Sequence, residues 1–286
     1  MRIRSINTQR VLVPTQISLA DFVINPYRGC EFGCLYCYSQ ENKNLQNKTF
    51  FTCLGVKTNA PRILERELKY VEPQRVLLGS TTECFQYQEL KFHITAKILS
   101  ILNSNNIAYT ILTKSDLIGE YLSLIAQNRH NKIYFTLNLA SDRIIQFLEP
   151  KAPLLGQRIK TIQAIASYGI NLRVHIGPFI PSLSQLHEIL RILPEGVKEI
   201  DVELYHQKQG NFEVLLNCVE RNMDRETVRK IRKVYENENT YRKFAKTLEG
   251  QIKKYAKTDS AVRFYYIVPD FNAFYAHTLN YAQPLL

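Results

Sequence analysis

Six short apolar runs, recurring at intervals of roughly thirty residues after the second and separated by amphipathic stretches, constrain this chain more than any other feature. They are Phe22–Ile24, Arg75–Leu78, Ala108–Leu112, Ile133–Leu137, Leu172–Ile176 and Ile200–Leu204. Each is short and rich in β-branched or aromatic residues, as a buried strand should be. The intervening stretches carry helical periodicity: Arg62–Tyr70 places Ile63, Leu64 and Leu68 on one face, and Phe92–Leu102, Leu117–Ala126, Gln157–Ser167 and Leu183–Leu193 read similarly. Gly169 follows the fourth of these, where a helix C-cap falls. Strands that alternate with helices imply βα units on a parallel sheet, an α/β class. Periodicity fits a partial barrel and an open doubly wound sheet equally well.

After about residue 210 the rhythm changes. Asp224–Tyr235 and Tyr241–Tyr255 read as helices, Val262–Val268 as a strand and Asp270–His277 as a short final helix. The expected organisation is a core over residues 1–210, with residues 211–286 forming a mostly helical extension packed on it.

At 286 residues the chain is long enough to bury a proper core. It has no apolar run of transmembrane length, and its basic N-terminus lacks the apolar block of a signal peptide, so a cytoplasmic protein without a membrane partner is expected. Six cysteines in a chain of this size do not suggest a disulfide framework. The formal net charge is +11, and residues 208–258 hold 13 Lys or Arg against 7 Asp or Glu. That makes nucleic acid a candidate partner through the helices bearing Arg229, Lys230, Arg232, Lys233, Lys253, Lys254 and Lys257, although a solvated helix face is the more ordinary reading.

Three cysteines crowd into one loop. Cys30, Cys34 and Cys37 follow a C-x3-C-x2-C spacing within Asn25-Pro-Tyr-Arg-Gly-Cys-Glu-Phe-Gly-Cys-Leu-Tyr-Cys-Tyr38. Three close thiolates can bind three irons of a 4Fe-4S cube and leave the fourth iron without a protein ligand. Gly29 and Gly33 supply the unusual dihedrals a loop needs to wrap a cluster closely. A structural zinc site wants four ligands, for which Cys53 is the candidate 16 residues on.

This spacing, with Tyr36 just before the third cysteine, resembles the radical SAM signature, and the wider string resembles the spore photoproduct lyase-like group of that superfamily. Later stretches resemble the same group in the same order: Val56–Ala60, Leu78–Glu83, Leu112–Ser115, Leu148–Pro153 with Arg158, Gly169-Ile170 and Gly177–Pro181. The similarity covers roughly residues 23–185. It implies a partial (β/α)6 TIM-like barrel with its chemistry at the C-terminal mouth of the strands. It also implies a 4Fe-4S cluster, S-adenosylmethionine (SAM) as second cofactor and an external one-electron reductant of flavodoxin or ferredoxin type. By this resemblance SAM is cleaved reductively to a 5′-deoxyadenosyl radical that abstracts hydrogen from substrate. A nucleic-acid lesion is one substrate class, and a small metabolite or peptide is another.

The resemblance places residues around the mouth. Glu83 falls where the family contacts the SAM amino group, a charge-assisted bond, with the hydroxyls of Ser80 and Thr81 beside it. Lys114 falls where a lysine meets the methionyl carboxylate. Asn138 and Ser141, after the fourth strand, suit the ribose or carboxylate, and Tyr36 the adenine or the cluster. Arg158 is expected to pair with Glu149, while His175 and His206 end the fifth and sixth strands and can face substrate. Spore photoproduct lyase carries a hydrogen-returning cysteine near the end of its second strand. Ser80 stands at that spot here, a departure from the lyase pattern, and Cys84, four residues later, is the candidate catalytic hydrogen-atom donor. Two further departures, Glu83-Cys84-Phe85-Gln86-Tyr87 and Gly119-Glu120, fall on the substrate side, so substrate is not inherited from the resemblance. The competing reading is an iron-sulfur or zinc nucleic-acid-binding module without SAM chemistry.

Overall fold

A computed structural model describes residues 1–40, 51–207, 211–255, 261–267 and 274–277. Two sheets organise it. The larger begins with β2 (Val13–Pro14) antiparallel to β3 (Phe22–Ile24). It continues through β6 (Arg75–Leu78), β7 (Ala108–Thr113), β8 (Lys132–Thr136), β9 (Asn171–Phe179), β10 (Glu199–Leu204) and β11 (Ala261–Ile267), then closes on antiparallel β12 (Phe274–His277). The smaller sheet pairs β5 (Cys53–Lys57) with β1 (Arg2–Ile6) in parallel and with β4 (Tyr27–Arg28) antiparallel.

From β3 to β11 every strand of the large sheet is parallel to the next, and their order in space is their order in the chain. A doubly wound sheet must reverse direction at a switch point. No reversal occurs here, so the sheet winds one way as a barrel does. Its outer strands β2 and β12 are antiparallel end strands, which leaves a partial barrel.

The helices cover one face. They comprise α1 (Ala60–Glu67), α2 (Glu89–Phe92), α3 (Ile94–Ser104), α4 (Leu122–Ile125), α5 (Asp142–Leu148), α6 (Leu155–Ser167), α7 (Leu186–Ile192), α8 (Phe212–Asn222), α9 (Arg225–Val234) and α10 (Glu238–Tyr255). Because side chains alternate across a strand, Val76, Leu78, Ile111, Ile133, Phe135, Val174, Ile176, Val202 and Phe264 share the outer face and are buried there. Each such side chain contributes about 1.5–3 kcal/mol on leaving water.

The opposite, inner face is polar. Across β8 to β11 it carries Tyr134 and Thr136, which pair with Arg173 and His175; these pair with Glu199 and Asp201, and Asp201 and Glu203 pair with Arg263 and Tyr265. Buried Asp201 takes Arg173 Nη1 and Arg263 Nε on one carboxylate oxygen, each at 2.8 Å. The neighbouring layer, toward the C-terminal strand ends, holds His175 Nε2 3.2 Å from Glu203 and His175 Nδ1 3.4 Å from the Tyr265 hydroxyl.

Three expectations are corrected. Phe274–His277 forms β12 rather than the end of a helix, because it pairs antiparallel with Phe264–Ile267; residues 270–273 lie outside the described residues. Leu117–Ala126 is a 3-10 segment, Asp116–Tyr121, followed by the single turn α4. The helix expected from Phe92 starts at Ile94, since His93 adopts a left-handed φ of 50° and separates α2 from α3.

Candidate active site

The loop after β3 is shaped by its glycines. Gly29 and Gly33 have φ of 93° and 68°, values that favour glycine, and they turn the chain on either side of Cys30. The loop is tied at several points. Asn25 donates from Nδ2 to Ser80 Oγ at 3.1 Å and accepts from the Thr81 amide at 3.0 Å, which joins the end of β3 to the loop after β6. The Thr82 hydroxyl donates to the Gly29 carbonyl and the Tyr38 hydroxyl to the Ser80 carbonyl. On the other side, Leu35 N donates to Leu148 O at 2.9 Å and Lys151 N to Phe32 O at 3.2 Å, while Pro150 packs over Gly33.

Cys34 is buried; Cys30 and Cys37 are half-buried and pack against the same core. Burial pushes the Cys34 thiol up to about 12, against the pull of the Lys114 ammonium, and raises Cys30 further with the help of neighbouring Cys34. Such thiols stay protonated at neutral pH, so metal binding must release their protons. Among the described residues, no three His, Cys, Asp or Glu side chains are arranged to hold a single metal ion. Three soft donors on a wrapped loop suit an iron-sulfur cluster better than one tetrahedral ion. Cys53 lies on β5 in the small sheet and Cys218 on α8, 3.6 Å from the Phe147 carbonyl.

Beside Cys34 lies a buried polar network that the sequence resolved only in part. Glu149 bonds Arg158 through Oε2, the pairing expected, and through Oε1 it takes Lys114 Nζ at 2.9 Å and the Tyr36 hydroxyl. Lys114 Nζ also lies 2.6 Å from the Tyr36 hydroxyl and 3.6 Å from Cys34 Sγ. Asn138 Nδ2 reaches the same hydroxyl at 3.1 Å and the Pro178 carbonyl at 3.3 Å. Burial alone would raise the Glu149 carboxyl, but Arg158 and Lys114 outweigh it and hold it down at about 2. Burial likewise opposes the Lys114 charge and is outweighed by Cys34, Glu149 and Tyr36. Asn138 Oδ1 is buried and has no hydrogen-bond partner among the described residues.

The remaining expected residues surround this network. Glu83 is buried; Oε1 accepts from Phe85 N at 3.0 Å and the Thr113 hydroxyl at 2.7 Å, and Oε2 from Lys114 N at 3.2 Å. Burial raises its carboxyl in spite of these bonds. Ser141 precedes α5 without capping it through its side chain. Cys84 is wholly buried, and its thiol lies 3.4 Å from the position a Cβ would take on Gly79. Burial, with Glu83 and Glu89 nearby, holds that thiol in its protonated form. His175 lines the inner face on β9, and His206 is half-buried just beyond β10.

A one-way barrel with a three-thiol loop at the C-terminal mouth defines a cofactor-dependent barrel enzyme. The family follows from comparison: a model of the radical SAM superfamily matches residues 24–193, and the chain belongs to that superfamily. Members use an iron-sulfur cluster and SAM and need an external reductant. The uncharacterized protein MJ0683 of Methanocaldococcus jannaschii is 27% identical over 191 residues, 66% of this chain and 72% of that protein. The uncharacterized protein Rv2578c of Mycobacterium tuberculosis is 28% identical over 178 residues, 59% of this chain and about half (52%) of the mycobacterial protein. Among solved structures, spore photoproduct lyase complexed with dinucleoside spore photoproduct superposes with a TM-score of 0.56 at 16% identity, covering 78% of this chain and 66% of the lyase. A double mutant of that lyase with bound AdoMet and dinucleoside spore photoproduct gives 0.55 at 17% over the same shares. These two likenesses concern the fold. No helix among the described residues is long and apolar enough to cross a membrane.

Proposed function

We propose that this radical SAM enzyme holds a 4Fe-4S cluster on Cys30, Cys34 and Cys37 and binds SAM at the open iron. The supporting observation is three thiols on a glycine-turned loop at the barrel mouth, with no fourth cysteine in that loop. A bound cluster would supply the one electron needed for reductive cleavage of SAM to methionine, the chemistry that would provide a 5′-deoxyadenosyl radical for hydrogen abstraction from substrate.

The chain's own residues bind and orient the cofactors. Glu83 Oε2, which accepts from the Lys114 amide, has lone-pair capacity left for the SAM ammonium, whereas Oε1 already accepts from Phe85 N and the Thr113 hydroxyl. Ser80 and Thr81, held by Asn25, border that position. Asn138 Oδ1 offers an acceptor for a ribose hydroxyl, with Ser141 one turn of chain further on. Lys114 Nζ, beside the Tyr36 hydroxyl and Cys34 Sγ, would meet the methionyl carboxylate by exchanging one of these acceptors for it. Cys84, kept as a protonated thiol, is assigned hydrogen-atom return to a product radical.

The substrate enters on the inner face toward His175, Glu203 and Tyr265. A nucleic-acid lesion is a candidate because the lyase of similar fold is complexed with dinucleoside spore photoproduct and the outer helices α9 and α10 are basic. Anaerobic reconstitution followed by dithionite reduction in the presence of SAM tests the proposal. Release of 5′-deoxyadenosine supports it. Intact SAM beside a fully loaded, reduced cluster overturns it.

A further inference from the structure

We propose that Lys114 sets the reduction potential of the cluster by placing a fixed positive charge against the Cys34 sulfur, which the neighbouring Glu149 carboxylate partly offsets. This rests on the three-cysteine cluster described above.

An ammonium group has three hydrogens to donate. Lys114 Nζ has three acceptors in reach: Glu149 Oε1 at 2.9 Å, the Tyr36 hydroxyl at 2.6 Å and Cys34 Sγ at 3.6 Å. The side chain is only 13% exposed, so its charge is weakly screened by water. Glu149 is in turn fixed by Arg158, whose side chain is fully buried and whose Nε donates to the Pro153 carbonyl at 2.8 Å. The group beside Cys34 therefore comprises two cations and one carboxylate, a net charge of +1.

Reduction adds one electron to the cluster and breaks no bond; the donor is an external one-electron reductant. Hydrogen bonds to ligand sulfurs, local charge and solvent exposure set the potential of an iron-sulfur centre. A cation at the ligand sulfur favours the reduced form, which carries the added negative charge. Removing the cation should lower the midpoint, and removing the carboxylate should raise it. A residue that only supported the fold would not move the two potentials in opposite directions.

The test is an EPR-monitored potentiometric titration of the full chain, reconstituted anaerobically and studied without SAM, comparing wild type with Lys114→Met, Lys114→Arg and Glu149→Gln. At the wild-type midpoint, Lys114→Met should be about tenfold richer in oxidised cluster, a midpoint lower by 59 mV for one electron. Lys114→Arg keeps the charge and should stay close to wild type, while Glu149→Gln should shift the midpoint upward. If Lys114→Met does not take up cluster, the sign of the Glu149→Gln shift decides. Loaded clusters with unchanged midpoints, or a downward shift in Glu149→Gln, overturn the inference. A wild-type chain with no 4Fe-4S signature after reconstitution instead overturns the cluster assignment on which it rests.

Discussion

Glu149 holds Arg158 on one carboxylate oxygen and Lys114 on the other, and the carboxylate and the guanidinium are both inaccessible to solvent. Glu149 follows directly on Leu148, whose carbonyl accepts the Leu35 amide, so a buried ion network and the cysteine loop share one anchor.

Glu149→Gln should therefore destabilise the protein strongly. It leaves Arg158 buried without its charge partner, an error that costs about 3–5 kcal/mol. Urea unfolding at neutral pH measures the loss. The pH dependence follows from the direction of the shift. The folded carboxyl lies near 2 against an ordinary 4.5, so its contribution is complete above 4.5 and fades as pH falls toward 2. The gap between wild type and Glu149→Gln should narrow on acidification below about pH 4.5.

Replacing Cys30, Cys34 or Cys37 singly by Ala should abolish both iron binding and SAM cleavage, because each sulfur serves one iron and the loop has no spare. Cys53→Ala and Cys218→Ala should keep wild-type iron content. Antiparallel pairing of β4 with β5 ends at Arg28 and Gly55, two residues short of both Cys30 and Cys53, so Cys53 is the informative control. Iron and sulfide assays on anaerobically purified variants decide, and loss of iron in Cys53→Ala would show four protein ligands.

Gly79 and Gly169 both adopt left-handed φ, 85° and 66°, yet they should respond differently to alanine. At Gly169 nothing lies within 4 Å of an added Cβ, so only backbone strain remains, about 1 kcal/mol. At Gly79 the Cβ would fall 2.6 Å from the Leu112 carbonyl oxygen, between two central strands that cannot part cheaply. Gly79→Ala should cost at least about 2 kcal/mol more than Gly169→Ala and reduce cluster loading with it, since Ser80 and Thr81 anchor Asn25. Thermal melts of the two variants test the difference.

What the sequence made legible was what local pattern encodes. The six central strands follow from runs buried by parallel pairing, and the three thiols lie within eight residues. The small sheet escaped because β1 pairs residues about fifty positions away and four of its five residues are exposed, which leaves no periodicity to read. β12 escaped for a similar reason: its strand conformation comes from pairing with β11, not from its own pattern. In the site, the Glu149–Arg158 pair was readable from two charges close in sequence. Their union with Tyr36, Lys114 and Asn138 was not, since it depends on how three strand ends converge. One-way winding, which separates a barrel from a doubly wound sheet, likewise appears only in strand order.

The basic C-terminal helices give the last prediction. Much of their charge is already paired: Arg229 with Glu226 at 2.6 Å, Arg232 with Glu213 at 2.7 Å and Lys253 with Glu249 at 2.7 Å. Exposed pairs of this kind contribute about 0–1 kcal/mol each, so they do little for stability and can be exchanged for phosphates. If nucleic acid is the substrate, single-stranded DNA should bind with an affinity that falls steeply with salt. The double substitution Arg229→Gln and Lys233→Gln should then weaken binding and lower the salt slope by roughly two, while 5′-deoxyadenosine release without substrate stays at the wild-type rate. Fluorescence anisotropy across a salt series makes the measurement. A slope unchanged by the substitutions would remove these helices from the binding surface and favour a small substrate held by His175, Glu203 and Tyr265 alone.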